Sequence, residues 1–191
     1  DRYKANIVIW PIRFSEAEND LETLYNLLDQ NTKSIQEFLK QNNIEENEIS
    51  VLSPVITDKS AQQYGNNARA EFRYTAFQTV TVYSKNIDTV RSVMGSLSQL
   101  GKQGIVITGG NYNAQTDYIF TRLNDVKPEM IEEATKKARE VAEKFASDSQ
   151  SSLGKITRAT QGQFSISARD KNNPHIKKVR VVSTVEYYLS D

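Results

Sequence analysis

His175 is the only histidine in the 191-residue chain, and cysteine is absent. Cysteine nucleophiles and thiolate zinc sites are therefore removed together, and a single imidazole remains. A catalytic base needs a positioned nucleophile and an orienting carboxylate, and a zinc site needs about four ligands, or three and a water. His175 stands in R-D-K-N-N-P-H-I-K-K at 169–178 with neither set beside it, so it reads as part of an exposed turn. No catalytic residue, no cofactor or cofactor-binding residue and no metal site is expected. The same stretch places Arg169, Lys171, Lys177, Lys178 and Arg180 around a single acid, Asp170. Two readings stand for that cluster: contact with an anionic partner, phosphate head groups or a neighbouring subunit, or a solvated hairpin tip.

Other candidate chemistries fail on spacing. Gly109-Gly110-Asn111 lacks the Gly-x-x-x-x-Gly-Lys-Ser/Thr pattern and precedes a strand-like segment, which removes both a phosphate loop and a dinucleotide fingerprint. It reads as a turn in which glycine supplies positive φ. Glu132 with Lys136, Glu133 with Lys137 and Glu140 with Lys144 are spaced i,i+4, as surface helix pairs worth roughly 0.2–0.5 kcal/mol each. No two acids have the opposed environments that a glycosidase requires. Tyr74, Tyr83, Tyr112, Tyr118, Tyr187 and Tyr188 fall on or near strand-like segments, where half-buried aromatics are ordinary. Gln78 is the one polar residue expected among apolar neighbours on a buried strand face, and the first place to look for a ligand pocket.

Composition narrows the classes further. Lys plus Arg and Asp plus Glu are each 24, so no net positive field exists to hold a polyanion, and nucleic acid is not an expected partner. A chain of this length buries about 70% of the surface its unfolded form exposes and needs no disulfide or metal to fold. No run of about 18 apolar residues is present to span a bilayer. The chain opens D-R-Y-K-A-N, without Met or an apolar signal region, which reads as a mature or trimmed form. Membrane association is expected only through a segment outside this chain.

The elements that must position these residues follow from periodicity. A-N-I-V-I-W-P-I-R-F at 5–14 reads as a strand, with Pro11 placing it at an edge or at a bulge. Ser15 and Glu18 form a capping-box pattern that starts a helix, carried to about Asn42 by Leu21, Leu24, Leu28, Ile35, Phe38 and Leu39. Asn42-Asn43 supplies a left-handed stop. Strands follow at 48–57 and 71–83, the second with a bulge near Phe77 and Gln78, then a helix at 87–100 stopped by Gly101 and a strand at 105–108. Strand, long helix, strand, strand then recurs at 114–123, about 128–153, 155–168 and 178–189. The reading is α+β: one domain over 1–191 made of two βαββ-type halves, about 5–84 and 114–190, joined by the helix-strand segment 85–113. The second long helix carries alanine at 134, 138, 142 and 146, an inner row that lets it lie close to its sheet in one stripe with Ile131, Val141, Phe145 and Leu153. Pro128 near its start and Gly154 just past its end fit that span.

Several stretches together resemble a known family. They are A-N-I-V-I-W-P-I, a long helix ending N-N-I with E-I-S-V after it, Y-T-A-F-Q-T-V-T-V before I-D-T-V-R-S-V, then A-T-K-K-A-R-E-V-A-E-K-F-A and L-G-K-I. In this order they resemble the SIMPL domain family of unknown function, which includes YggE-like proteins and bacterial periplasmic immunogenic proteins. The resemblance covers nearly the whole chain and is most specific at the alanine-rich helix. It implies an exported protein of the periplasm or cell envelope, assembly into homo-oligomers and a link to stress response, and it brings no catalytic residues. Two features depart from the pattern: no export signal is visible, and Asn43-Ile44 stands where many relatives have a Gly-Ile turn. The expected protein is a non-enzymatic envelope domain acting through self-association or protein contacts. The alternative is a small-molecule binding module with its pocket between sheet and helices.

Overall fold

The computed structural model describes residues 1–62, 71–108 and 115–191. The Gly109-Gly110-Asn111 turn, Tyr112 and much of the polar loop read at 58–68 lie outside the described residues. The chain forms two compact units, a larger one from Ile7–Tyr118 and a smaller one from Asp1–Asn6 with Ile119–Asp191. The fold is α+β, with antiparallel sheets in both.

In the larger unit, β2 (Ile7–Glu18) and β5 (Tyr74–Ser84) pair antiparallel from Val8↔Ser84 to Glu18↔Tyr74 without a register shift. Because side chains alternate along a strand, that register gathers Val8, Trp10, Ile12 and Phe14 with Ala76, Gln78, Val80 and Val82 on one buried face. β3 (Ile49–Val51) and β4 (Val55–Asp58) divide the other side of β5 between them, while β6 (Val106–Thr108) and β7 (Asp117–Ile119) pair with β2. Helix α1 (Leu21–Gln41) packs against β2 and β5, with Leu24, Leu28, Ile35 and Leu39 at most 1% exposed.

Four local expectations are corrected here. The capping-box residues Ser15 and Glu18 are strand, because β2 stays paired with Phe77 and Tyr74 that far; the N-cap is Asp20, whose carboxylate accepts from the Thr23 N–H at 2.9 Å. Pro11 sits in an interior strand without a bulge, outside the Arg13–Ser15 stretch paired to β6. The helix read at 87–100 is two, α2 (Ile87–Met94), capped at Gly95, and α3 (Ser98–Lys102), which contains Gly101. The bulge expected near Gln78 is absent, because the amide is satisfied in place, as described below. Asn43 does take the left-handed turn, at φ 66°.

The smaller unit holds two antiparallel sheets. β1 (Arg2–Lys4), β10 (Ile176–Arg180) and β9 (Ser165–Ala168) run in the order β1-β10-β9. β8 (Ser152–Gln161) and β11 (Ser183–Ser190) form a two-stranded ribbon on which α4 (Leu123–Asp148) packs. Val126, Met130 and Val179 make the buried core, with Tyr3 stacked on Phe120 at 5.4 Å beside it. That packing explains why α4 begins five residues before Pro128: Leu123 and Val126 anchor its first turn, which offsets the backbone bond that proline removes. The helix ends at Ser149, and Gln150 at φ 59° supplies the left-handed residue. Gly154 instead lies inside β8, where a Cβ would stand 2.9 Å from the Tyr188 Cβ.

The two halves pair their strands differently. The strand that opens the second half, β7, pairs with β2, and the place beside β10 is taken by β1 from the other end of the chain. Along α4, Ala146 is buried and Ala134, Ala138 and Ala142 are half-buried, whereas Val141 and Phe145 are 56% and 70% exposed. Each precedes its alanine by one residue, and about 100° of helix rotation turns it away. Ala146→Leu is expected to cost about 1–3 kcal/mol through overpacking, measured by denaturant unfolding, with Lys136→Leu close to neutral.

Candidate functional site

The strands of the smaller unit sort the basic cluster by face. Successive residues of β10 point to opposite sides, so Val179, 1% exposed, and Lys177, half-buried, share the side of the core, while Lys178 and Arg180 point away. Lys171 lies in the turn beyond β9, and Arg169 Nε sits 2.7 Å from Asp170 Oδ2. The five residues therefore do not form one cluster. The pairing adds two that the sequence reading missed: Arg2 lies opposite Lys178 and Lys4 opposite Ile176. Their only sequence signal is the alternation R-Y-K, too short to announce a strand.

The tip of this hairpin is an Asp170-centred turn. The Asn172 and Asn173 N–H groups donate to Asp170 Oδ1 at 3.0 and 2.9 Å, and the Asn173 side-chain amide adds a third bond at 2.8 Å. With the Arg169 guanidinium first and Asn173 second, these donors hold the carboxyl down at about 2. His175 does lie in a turn, the one that leads into β10, but it is half-buried rather than exposed, and its carbonyl accepts from the Ala5 N–H at 2.7 Å.

Gln78, 7% exposed, is explained by its bonds. Its Oε1 accepts from the Thr32 hydroxyl at 3.2 Å and its Nε2 donates to the Leu52 carbonyl at 2.9 Å, tying α1 and the β3–β4 connection to the sheet. The space between α1 and the sheet is filled by Ile12, Phe14, Leu24 and Leu28. A depression of about 200 Å³ lies in the smaller unit near Met130, Val179 and Val181, rimmed by Glu133, Lys137, Lys178 and Arg180. A second, of about 450 Å³, lies at the end of α1 around Lys40, Asn43, Ile44 and Glu46. Both are open, and the first is smaller than the usual 300–1,000 Å³ of a ligand site. Among the described residues no group of three His, Asp or Glu is placed to hold a metal ion, and no helix is long and apolar enough to cross a membrane.

Residues 2–186 match the SIMPL family, described as a protein of unknown function (DUF541). The chain belongs to the SIMPL family. A comparison with curated proteins returns no match for it. The matched span takes in nearly all of both units of this SIMPL protein, so family membership concerns the two together.

Two predictions follow from these side chains. Gln78→Leu in the SIMPL chain is expected to cost about 1–3 kcal/mol, because it leaves the Leu52 carbonyl without its donor; equilibrium unfolding in urea measures this. For Asp170, the folded pKa of about 2 lies below the ordinary value near 3.9. Its contribution to stability is therefore complete above about pH 4 and is lost as the pH falls through about 2. NMR titration of the side-chain carboxyl should show the low midpoint, and Asp170→Asn should remove this step from the acid limb of the stability profile.

Proposed function

We propose that this SIMPL protein is a non-enzymatic protein of the cell envelope that acts by self-association. The observation that supports self-association is the β8–β11 ribbon. Among the described residues it is two-stranded and the outer edge of each long strand has no ladder partner, and Ile156, Tyr188 and Leu189 on it are 50%, 65% and 58% exposed. Unpaired edges of this length invite pairing with another chain, and a two-stranded ribbon is marginal without a covering layer.

The thin core of the smaller unit supports the same reading. Its buried apolar residues are Ala5, Val126, Met130, Ala146 and Val179, while Val141 and Phe145, neighbours at i,i+4 on α4, stand in solvent. A second copy laid against the ribbon or this helix face would bury apolar area at about 25 cal/mol per Å². The envelope location and a link to stress response rest on the family resemblance. The absence of catalytic work rests on the scarcity of reactive side chains, one histidine and no cysteine.

Light scattering across a concentration series tests the proposal. The mass is expected to exceed that of one 21.7 kDa chain, and Phe145→Lys with Ile156→Lys is expected to return it to a monomer without loss of fold. A strict monomer at the highest concentration would overturn the reading.

A further inference from the structure

The three-stranded sheet β1-β10-β9 presents two chemically different faces. Tyr3 and Val179 point into the core of the smaller unit. By strand alternation, the opposite face carries Arg2 and Lys4 from β1, Lys178 and Arg180 from β10, and Ser165 and Ser167 from β9, with Ile176 as its apolar residue. Arg169 extends the row, since its N–H donates to the Ile176 carbonyl at 2.8 Å and so continues the register of β9. These cations come from opposite ends of the chain, and only the strand pairing brings them together.

The charge on this face is uncompensated. Arg2 lies directly opposite Lys178, an arrangement of like charges that disfavours pairing. The three strands contain no acidic residue. Arg169 has Asp170 as a partner, but Arg2, Lys4, Lys178 and Arg180 form no ion pair with another described residue. Asp1 pairs with position 179 by the same alternation and so falls on the helix side, where it lines the depression with Glu133. A neutral protein thus holds a one-sign field on one flat surface.

We propose that this face binds an anionic phospholipid surface. Its geometry favours a plane of headgroups over other anions. Side chains two apart on a strand are about 6.8 Å apart and neighbouring strands about 4.8 Å, which makes an extended grid of charges; the depression that Lys178 and Arg180 help to line also carries Asp1 and Glu133, whose carboxylates disfavour a single bound phosphate. It has no aromatic side chain on which a nucleic-acid base could stack. It also lacks the apolar centre around which protein interfaces are built. Each basic residue held at an anionic membrane contributes about fivefold to partitioning. Self-association through the ribbon is a separate matter and can fail without affecting this surface.

Co-sedimentation of the full chain with phosphatidylcholine vesicles containing phosphatidylglycerol tests the proposal, with phosphatidylcholine alone as the neutral arm. Binding is expected to the anionic vesicles only, and to fall at least tenfold between ~50 and ~500 mM salt as the Debye length shrinks. Lys178→Gln with Arg180→Gln should weaken it roughly 25-fold, at about fivefold per cation, while Lys136→Gln with Lys137→Gln on α4 should leave it unchanged. Lys178→Glu supplies a counterion to Arg2, so it should abolish binding while leaving the unfolding midpoint equal or higher; a merely structural role would predict a lower midpoint. Inorganic phosphate should compete no better than sodium chloride of matched ionic strength. Absence of anionic-vesicle binding at low salt, undiminished binding by the charge variants, or specific displacement by phosphate would each overturn the proposal.

Discussion

The unshifted pairing of β2 with β5 is the constraint on which the larger unit depends. A slip of β2 by one residue would turn Val8, Trp10, Ile12 and Phe14 to the opposite face and present Arg13 and Ser15 to α1. The long register resists that slip because its buried residues alternate on both strands at once. Gln78 adds specificity. Its amide is bonded to Thr32 and Leu52 with Phe14 opposite, so this polar group within the apolar face is satisfied in the observed register. Arg13 on the far face lies 3.4 Å from the centre of the Phe77 ring and partly shelters that aromatic.

The smaller unit is organised on different terms. Its core is thin, and its sheet is completed by a strand from the N-terminal end of the chain. Asn6 fixes that strand locally: its Oδ1 accepts from the Thr121 N–H at 2.8 Å, and its own N–H donates to the Ile119 carbonyl at 2.9 Å. With few apolar residues to bury, this unit displays its resources on the outside, an apolar ribbon on one sheet and a cationic face on the other. Such features leave apolar and charged surface of this unit in solvent.

Much of the architecture was legible from local pattern. The stripe Leu24, Leu28, Ile35, Leu39 and the alternation Ala76, Gln78, Val80, Val82 each declared one buried face, because both elements are long enough for their period to exceed noise. The boundaries were less legible. Ser15-Glu18 has the chemistry of a helix cap, yet strand pairing overrode it, since β5 continues to offer backbone partners as far as Tyr74. Val141 and Phe145 looked like core because hydrophobicity alone does not say which flank of an alanine row faces the sheet.

The sequence by itself determined the α+β class, the family, the long elements and their inward faces, because each rests on near neighbours along the chain. It also determined that the chain has one histidine and no cysteine, which no folding can change. Only the tertiary structure decided which cations stand together. It separated Lys177 from Lys178 by the two-residue period of a strand and joined Lys178 to Arg2 across 176 positions of sequence by a backbone ladder. Ladders pair main-chain groups that every residue possesses, so their partners leave almost no mark in side-chain identity.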